Sequence, residues 1–251
     1  MFELPELVVL SRQINQTLKG KHIENGCLGN TPHKFVWYNR SHEEFERLTS
    51  GKGMGEAQAK GRWLFIELIP GYVLLMGEIG GKLLYQPPGS KQPDKYHLFL
   101  KFSDGSSLSA MTQMWGAYEL YEVGQEMESQ YVKGMRTTPL EDGFTPEYLK
   151  ELIASLLGGE KRSAKSLLTQ DQLIPGLGNS IAQDILFKAQ IHPRHPISEL
   201  DDAMIQALYE AIVGTIQAVI DRGGRYDERS IRQAGRIRAT DGLQDSGETV
   251  P

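Results

Sequence analysis

A chain of 251 residues, 39% hydrophobic and 24% charged, is long enough to bury one large core or two modest ones without help from disulfides or metal. Its single cysteine, Cys27, excludes a disulfide framework and a four-cysteine zinc module, and makes the cytoplasm the expected location. The net charge of −5 argues against coating nucleic acid by bulk charge but leaves room for a local basic groove. No apolar run looks long enough for a membrane span, and Met1–Gly20 lacks the basic start and apolar block of a signal peptide, so no membrane association is expected.

In chain order, Pro5 suits a first helical turn, Leu7, Leu10, Ile14 and Leu18 form one stripe, and Gly20 can end the helix. The texture then turns to strands, predicted over Phe35–Tyr38, Trp63–Leu68, Tyr72–Met76, Lys82–Tyr85, His97–Phe102, Ser107–Met111 and Ala117–Tyr121. Turn pairs such as Pro70-Gly71, Gly80-Gly81 and Asp104-Gly105 separate them. Short strands at this spacing predict an antiparallel sandwich or barrel.

After about Tyr131 the pattern is helical. Thr145-Pro146-Glu147 supplies a cap, a first-turn proline and a well-placed acid, followed by Leu149, Leu152, Ile153 and Leu156. Further helices are predicted over Ser163–Thr169, over Asn179–Ala189, and from beyond Ser198 to near Gly223-Gly224. The fold class is therefore α+β: a leading helix and β-sandwich over 1–131, then a helical domain over 132–229, with a cleft between them as the natural ligand site. The last stretch, 230–251, is polar and without periodicity, and reads as disordered.

The strongest local signal is Leu173-Ile174-Pro175-Gly176-Leu177-Gly178-Asn179 between two predicted helices. Gly176 and Gly178 allow close approach of the backbone to a ligand, and the helix start offers N–H groups to an anion such as phosphate. An ordinary interhelical turn with Asn179 as the N-cap is the alternative.

The wider text, KSLLTQDQLIPGLGNSIAQDILFKAQIHPRHP from Lys165 onward, resembles the helix-two-turn-helix of the formamidopyrimidine-DNA glycosylase and endonuclease VIII family. Met1-Phe2-Glu3-Leu4-Pro5-Glu6 resembles the family's N-terminal signature, and TTPLEDGFTPEYL its interdomain passage. The resemblance runs to about Arg229. It implies excision of oxidised bases from duplex DNA and cleavage at abasic sites, by extrusion of the damaged nucleotide and Schiff-base chemistry at an N-terminal amine. It implies a monomer, associated with the nucleoid, whose partner is duplex DNA carrying damaged bases or abasic sites.

Carried over by position, the resemblance makes Lys165 and Asn179 grips on the phosphates beside the lesion, with a solvated helix lysine as the alternative for Lys165. Trp115, in Gln113-Met114-Trp115-Gly116, stands where the family has a void-filling Phe; packing in the core is its other reading. Glu3 and Glu6 match the family's acidic positions, Glu3 being the candidate general acid/base or else a helix-start carboxylate.

Three departures bear on the chemistry. Phe2 occupies the place of the nucleophilic proline, so the free amine is expected on Met1, one residue out of position. Arg62 aligns with the family's essential lysine, with Lys60 two positions earlier and expected on the same side of an extended segment; either can hold a phosphate or be a surface charge, but Arg cannot serve as a backup amine. Finally, no four-cysteine zinc hairpin follows Tyr226-Asp227-Glu228-Arg229, so no cofactor is expected in this chain. With suitable codons, the tail SIRQAGRIRATDGLQDSGETVP is compatible with an adjoining frame reading LYGKPGGYELLMDSKTVGKPC, which resembles the approach to that hairpin. The expectation is a frameshifted tail over 230–251. Absence of a cysteine-rich hairpin downstream in the other frame of the gene would refute it.

Overall fold

A computed structural model of the protein describes residues 2–224 and the backbone of Arg232–Gln233. The first helix, α1 (Leu4–Leu18), has Pro5 in its opening turn, and Glu6 closes its start by accepting the Glu3 N–H at 3.0 Å. Leu7, Leu10, Ile14 and Leu18 are buried in the sandwich core, whereas Leu4 and Val8 pack with the helical core. One helix therefore ties the two halves together.

The sandwich comprises β1 (Ile23–Leu28), β2 (Val36–Tyr38), β3 (Gly53–Lys60), β4 (Trp63–Ile69), β5 (Tyr72–Gly77), β6 (Gly81–Gln86), β7 (Leu98–Phe102), β8 (Ser107–Thr112) and β9 (Gly116–Glu122), with α2 (His42–Thr49) between β2 and β3. One sheet runs β2-β9-β5-β4-β3 and the other β1-β7-β8-β6, extended by β10 (Arg232–Gln233). Pairing is antiparallel except for β2 with β9 and β10 with β6. Leu64, Ile66, Leu74 and Met76 of the first sheet meet Leu98, Leu100 and Leu108 of the second in the core.

All seven predicted strands are present, with ends shifted by a residue or so. Sequence reading missed β1 and β3 because IENGCL and GMGEAQAK are poor in β-branched and aromatic residues. They are strands by pairing, β1 with β7 and β3 with β4. It also missed α2, although Ser41 and Glu44 form a capping box that the sequence spells out.

The helical half contains α3 (Pro146–Leu156), α4 (Ala164–Thr169), α5 (Asn179–Lys188) and α6 (Asp202–Asp221), with Thr145, Ser163 and Asp201 capping α3, α4 and α6. One expectation is corrected here: α6, with mean hydropathy 1.5 over an 18-residue window, is long and apolar enough, by length and composition only, to cross a membrane. Its apolar content has another use, since Ile205, Leu208, Ile212, Ile216 and Ile220 are buried in the helical core. The tail expectation for 230–251 lies outside the described residues, apart from Arg232–Gln233. Those two pair in parallel with Leu84 and Tyr85, which departs from a wholly unstructured tail.

His97, fully buried at the start of β7, supplies a pH test of the sandwich. Its Nδ1 accepts the Thr112 N–H at 2.9 Å, and burial, then the charge of His33, holds its pKa below the ordinary 6.5. A neutral folded imidazole gives stability that is present above the unfolded pKa and is lost as pH falls through it toward the folded value. Denaturant unfolding between pH 7.5 and 5.5 is expected to show falling stability, with a flatter profile in His97→Gln. Identical slopes in the two proteins would reject the assignment.

Candidate active site and nucleic-acid interface

Four segments converge at the N-terminal end of α1. Phe2, only 5% exposed, sits beside Ile79, Leu83 and Tyr118 at one end of the sandwich, and its backbone N–H donates to the Ile79 carbonyl at 2.9 Å. Ile79-Gly80 lies in the crossing from β5 to β6, between the two sheets. The Gly80 carbonyl accepts the Gln113 N–H at 2.7 Å, which links the Phe2 end to the loop carrying Trp115.

On the other side, the Leu4 N–H donates to the Gly176 carbonyl at 2.9 Å. Gly176 has φ +91°, and a Cβ there would lie 2.6 Å from Leu4 Cβ and 2.9 Å from the Gly61 carbonyl oxygen. The glycine is thus required by close approach of the protein's own chain. Gln172 braces the loop, accepting the Gly176 N–H at 3.0 Å and donating to the Leu177 carbonyl at 3.3 Å.

Glu3 gives the helix-start argument its outcome. Its buried carboxylate accepts backbone N–H groups from Gly178, Ser180 and Ile181 at 3.1, 3.2 and 3.2 Å, closing the N-terminus of α5. The expected offer of these N–H groups to a phosphate is corrected: the anion they hold comes from the N-terminal segment of the same chain. A Cβ on Gly178 would lie 2.6 Å from Glu3 Oε1, so this second glycine also makes room for Glu3. Gly178 is the N-cap, and Asn179 is the exposed first residue of the helix.

Lys60 and Arg62 do not share a side. β3 ends at Lys60, which pairs with Trp63 across the turn Gly61-Arg62, and the turn sends the two cations apart. Arg62 Nη2 donates to the Leu177 carbonyl at 2.9 Å, and Nη1 meets Glu78 Oε2 at 3.4 Å. Its guanidinium therefore joins the sandwich to the helical loop. Lys60 is exposed, its Nζ 5.5 Å from the centre of the Phe65 ring.

Lys165, on α4, is exposed beside an open groove of about 550 Å³ that Phe187, His192 and Pro193 also line. Trp115 is 42% exposed and stacks on Trp37, with centroids 5.1 Å apart and planes at 14°, so it lies at the surface and not in the core. Sequence reading missed Glu78, Gln172, Phe35 and Trp37. No sequence signal marks the first two; the alternation Phe35-Val36-Trp37-Tyr38 did place aromatic rings two apart. Among the described residues no cluster of three or more His, Cys, Asp or Glu can hold a metal ion, and the lone Cys27, hydrogen-bonded to Asn25, offers no zinc donor set.

The architecture is that of a two-domain protein whose leading helix and β-sandwich are locked onto a helix-two-turn-helix loop. Residues 1–113 match the model described as the formamidopyrimidine-DNA glycosylase N-terminal domain, and residues 135–230 match that of the formamidopyrimidine-DNA glycosylase H2TH domain. The chain belongs to the formamidopyrimidine-DNA glycosylase and endonuclease VIII family. It is 28% identical to a formamidopyrimidine-DNA glycosylase of Bacillus cereus over 239 residues, covering 94% of this chain and 84% of the relative. A Brevibacillus brevis relative of the same name is 29% identical, over 89% of this chain and 79% of its own length. The fold matches that of Lactococcus lactis Fpg bound to DNA containing an abasic site, with TM-score 0.77 and 23% identity over 89% of this chain and 81% of the other. A complex of an Fpg mutant from the same organism with Fapy-dG-containing DNA gives TM-score 0.78 at 23% identity, over 90% and 81%.

Proposed function

We propose that the protein is a DNA-repair glycosylase of this family, acting on oxidised bases or abasic sites in duplex DNA by base flipping and Schiff-base chemistry, and that its chemistry is impaired in this chain. The observation carrying this reading is the convergence of Glu3, the Phe2 end, the β3–β4 turn and the Gly176–Asn179 loop at one place, with Asn179 exposed at its edge and Lys165 and Trp115 exposed on α4 and on the β8–β9 loop. An exposed lysine and an exposed helix-start asparagine on the helix-two-turn-helix, with an exposed aromatic ring on the sandwich, suit phosphate gripping and filling of the space an extruded base leaves.

Impairment follows from Phe2. Its nitrogen is a peptide nitrogen, delocalised into the preceding carbonyl and bonded to Ile79, so it is no nucleophile. Met1 precedes it, so an amine that attacks the sugar lies at least one residue from the family's place, and near-contact geometry is what such attack requires. Glu3, in this reading, manages the protons of the step.

The buried Phe2 also favours a second reading, a non-catalytic binder of damaged DNA. Duplexes carrying an oxidised purine, an oxidised pyrimidine or an abasic site, incubated with the protein and borohydride, separate the two. A slow trapped adduct supports the enzyme; preferential binding of the abasic duplex with no adduct supports the binder. No adduct together with equal affinity for intact and lesion-bearing duplexes sinks both. Lys165→Ala is expected to weaken all duplexes alike and to reduce the slope of log affinity against log salt by about 1, measured by titration at several salt concentrations.

A further inference from the structure

Phe35, Trp37 and Trp115 form a continuous aromatic surface that the sandwich core does not use. Phe35 and Trp37, two apart in an extended run, face one side, while Val36 between them packs toward the core. Trp115 completes the surface, 4.6 Å from Phe35 and 5.1 Å from Trp37 between ring centres. The three rings remain 37%, 38% and 42% exposed, and Lys34 Nζ lies 5.4 Å from the centre of the Phe35 ring.

This surface is braced. The Gly116 N–H donates to the Phe35 carbonyl at 3.0 Å, and His33 bridges the two segments, accepting the Phe35 N–H at 3.2 Å with its other ring nitrogen 3.3 Å from the Gln113 carbonyl. It is also continuous with the site above, because Gln113 is bonded to Gly80, the neighbour of the residue that holds Phe2.

We propose that Phe35, Trp37 and Trp115 form a stacking platform for unpaired nucleobases of a DNA strand, with Lys34 beside it for the phosphate backbone. The proposal deepens the DNA reading of the site and rests on it. The exposed parts of this stacked cluster, next to a cation, match a base and its phosphate, since every nucleotide has a base face to stack and a phosphate charge to neutralise. Trp115 alone offers one ring; stacked on Trp37 and packed against Phe35 it forms part of a larger, mutually braced aromatic cluster.

The test uses fluorescence anisotropy of a labelled single-stranded oligodeoxyadenylate, alongside abasic and intact duplexes. The wild-type protein is expected to bind the single strand, Trp37→Leu to weaken it about tenfold, and Trp37→Phe to restore most of the affinity. Phe35→Leu is the second variant should Trp37→Leu misfold, and thermal unfolding monitors both. No binding of the single strand by wild type, unchanged binding by the leucine variants, or a dimer in sedimentation that buries this face overturns the platform. If single-strand binding depends on Trp37 while abasic and intact duplexes bind equally, the platform stands and the lesion reading falls. If abasic preference persists and the leucine variants change nothing, the lesion reading stands and the platform falls.

Discussion

Gly176→Ala is expected to lower the unfolding free energy by about 4 kcal/mol, which puts it among the damaging single-methyl changes in the protein. Two effects add. At φ +91° an L-residue is strained by about 1–2 kcal/mol. The new Cβ would also lie 2.6 Å from Leu4 Cβ and 2.9 Å and 3.1 Å from the Gly61 carbonyl oxygen and carbon. Neither neighbour is the free end of a flexible side chain. Relief requires moving the start of α1 or the β3–β4 turn, and such overpacking costs about 1–3 kcal/mol more.

The same movement would pull on the Leu4–Gly176 hydrogen bond and on the Arg62 contact with Leu177, so DNA binding should fall with stability. Gly214→Ala is the control. That glycine is exposed on α6, has nothing within 4 Å of a built Cβ, and should gain about 0.5–1 kcal/mol from helix propensity. Urea denaturation of the three proteins decides the matter; a Gly176→Ala variant as stable as wild type would mean that the loop yields freely and does not lock the domains.

The contrast between these glycines shows what could be read from the sequence and what could not. Turn pairs, alternating apolar runs and helical stripes marked most of the elements, because those signals are local. Gly176 and Gly178 could also be singled out locally, and Glu3 and Arg62 by their match to the family's positions. What they touch could not: Glu3 meets Gly178, Ser180 and Ile181, and Arg62 meets Leu177, across more than a hundred residues of chain. The reasoning that a glycine-flanked helix start seeks an anion was chemically sound, but an internal carboxylate meets that need as well as a phosphate does. Lys60 and Arg62 failed for a different reason. Their shared side assumed a strand running through both, whereas Gly61, at φ +56°, turns the chain between them.

Replacing Glu3 separates a structural duty from a chemical one. Both carboxylate oxygens are engaged by N–H groups of α5, and the residue is 6% exposed, so solvent can replace little of what is removed. Glu3→Ala is expected to cost about 3 kcal/mol, the loss of a charged helix cap plus the stranding of buried donors. Glu3→Gln keeps one acceptor oxygen and turns the other into a donor facing donors, for a cost of about 1.5–2 kcal/mol. A domain of ordinary stability stays almost wholly folded after the smaller loss, which makes the glutamine variant informative about chemistry. If Glu3 manages protons, borohydride trapping on an abasic duplex should fall in Glu3→Gln far below its folded fraction, while binding of the same duplex persists. Trapping that merely tracks the folded fraction would assign Glu3 to closing the α5 helix and holding the two halves in register, and would leave the proton-handling role to be found elsewhere in the site.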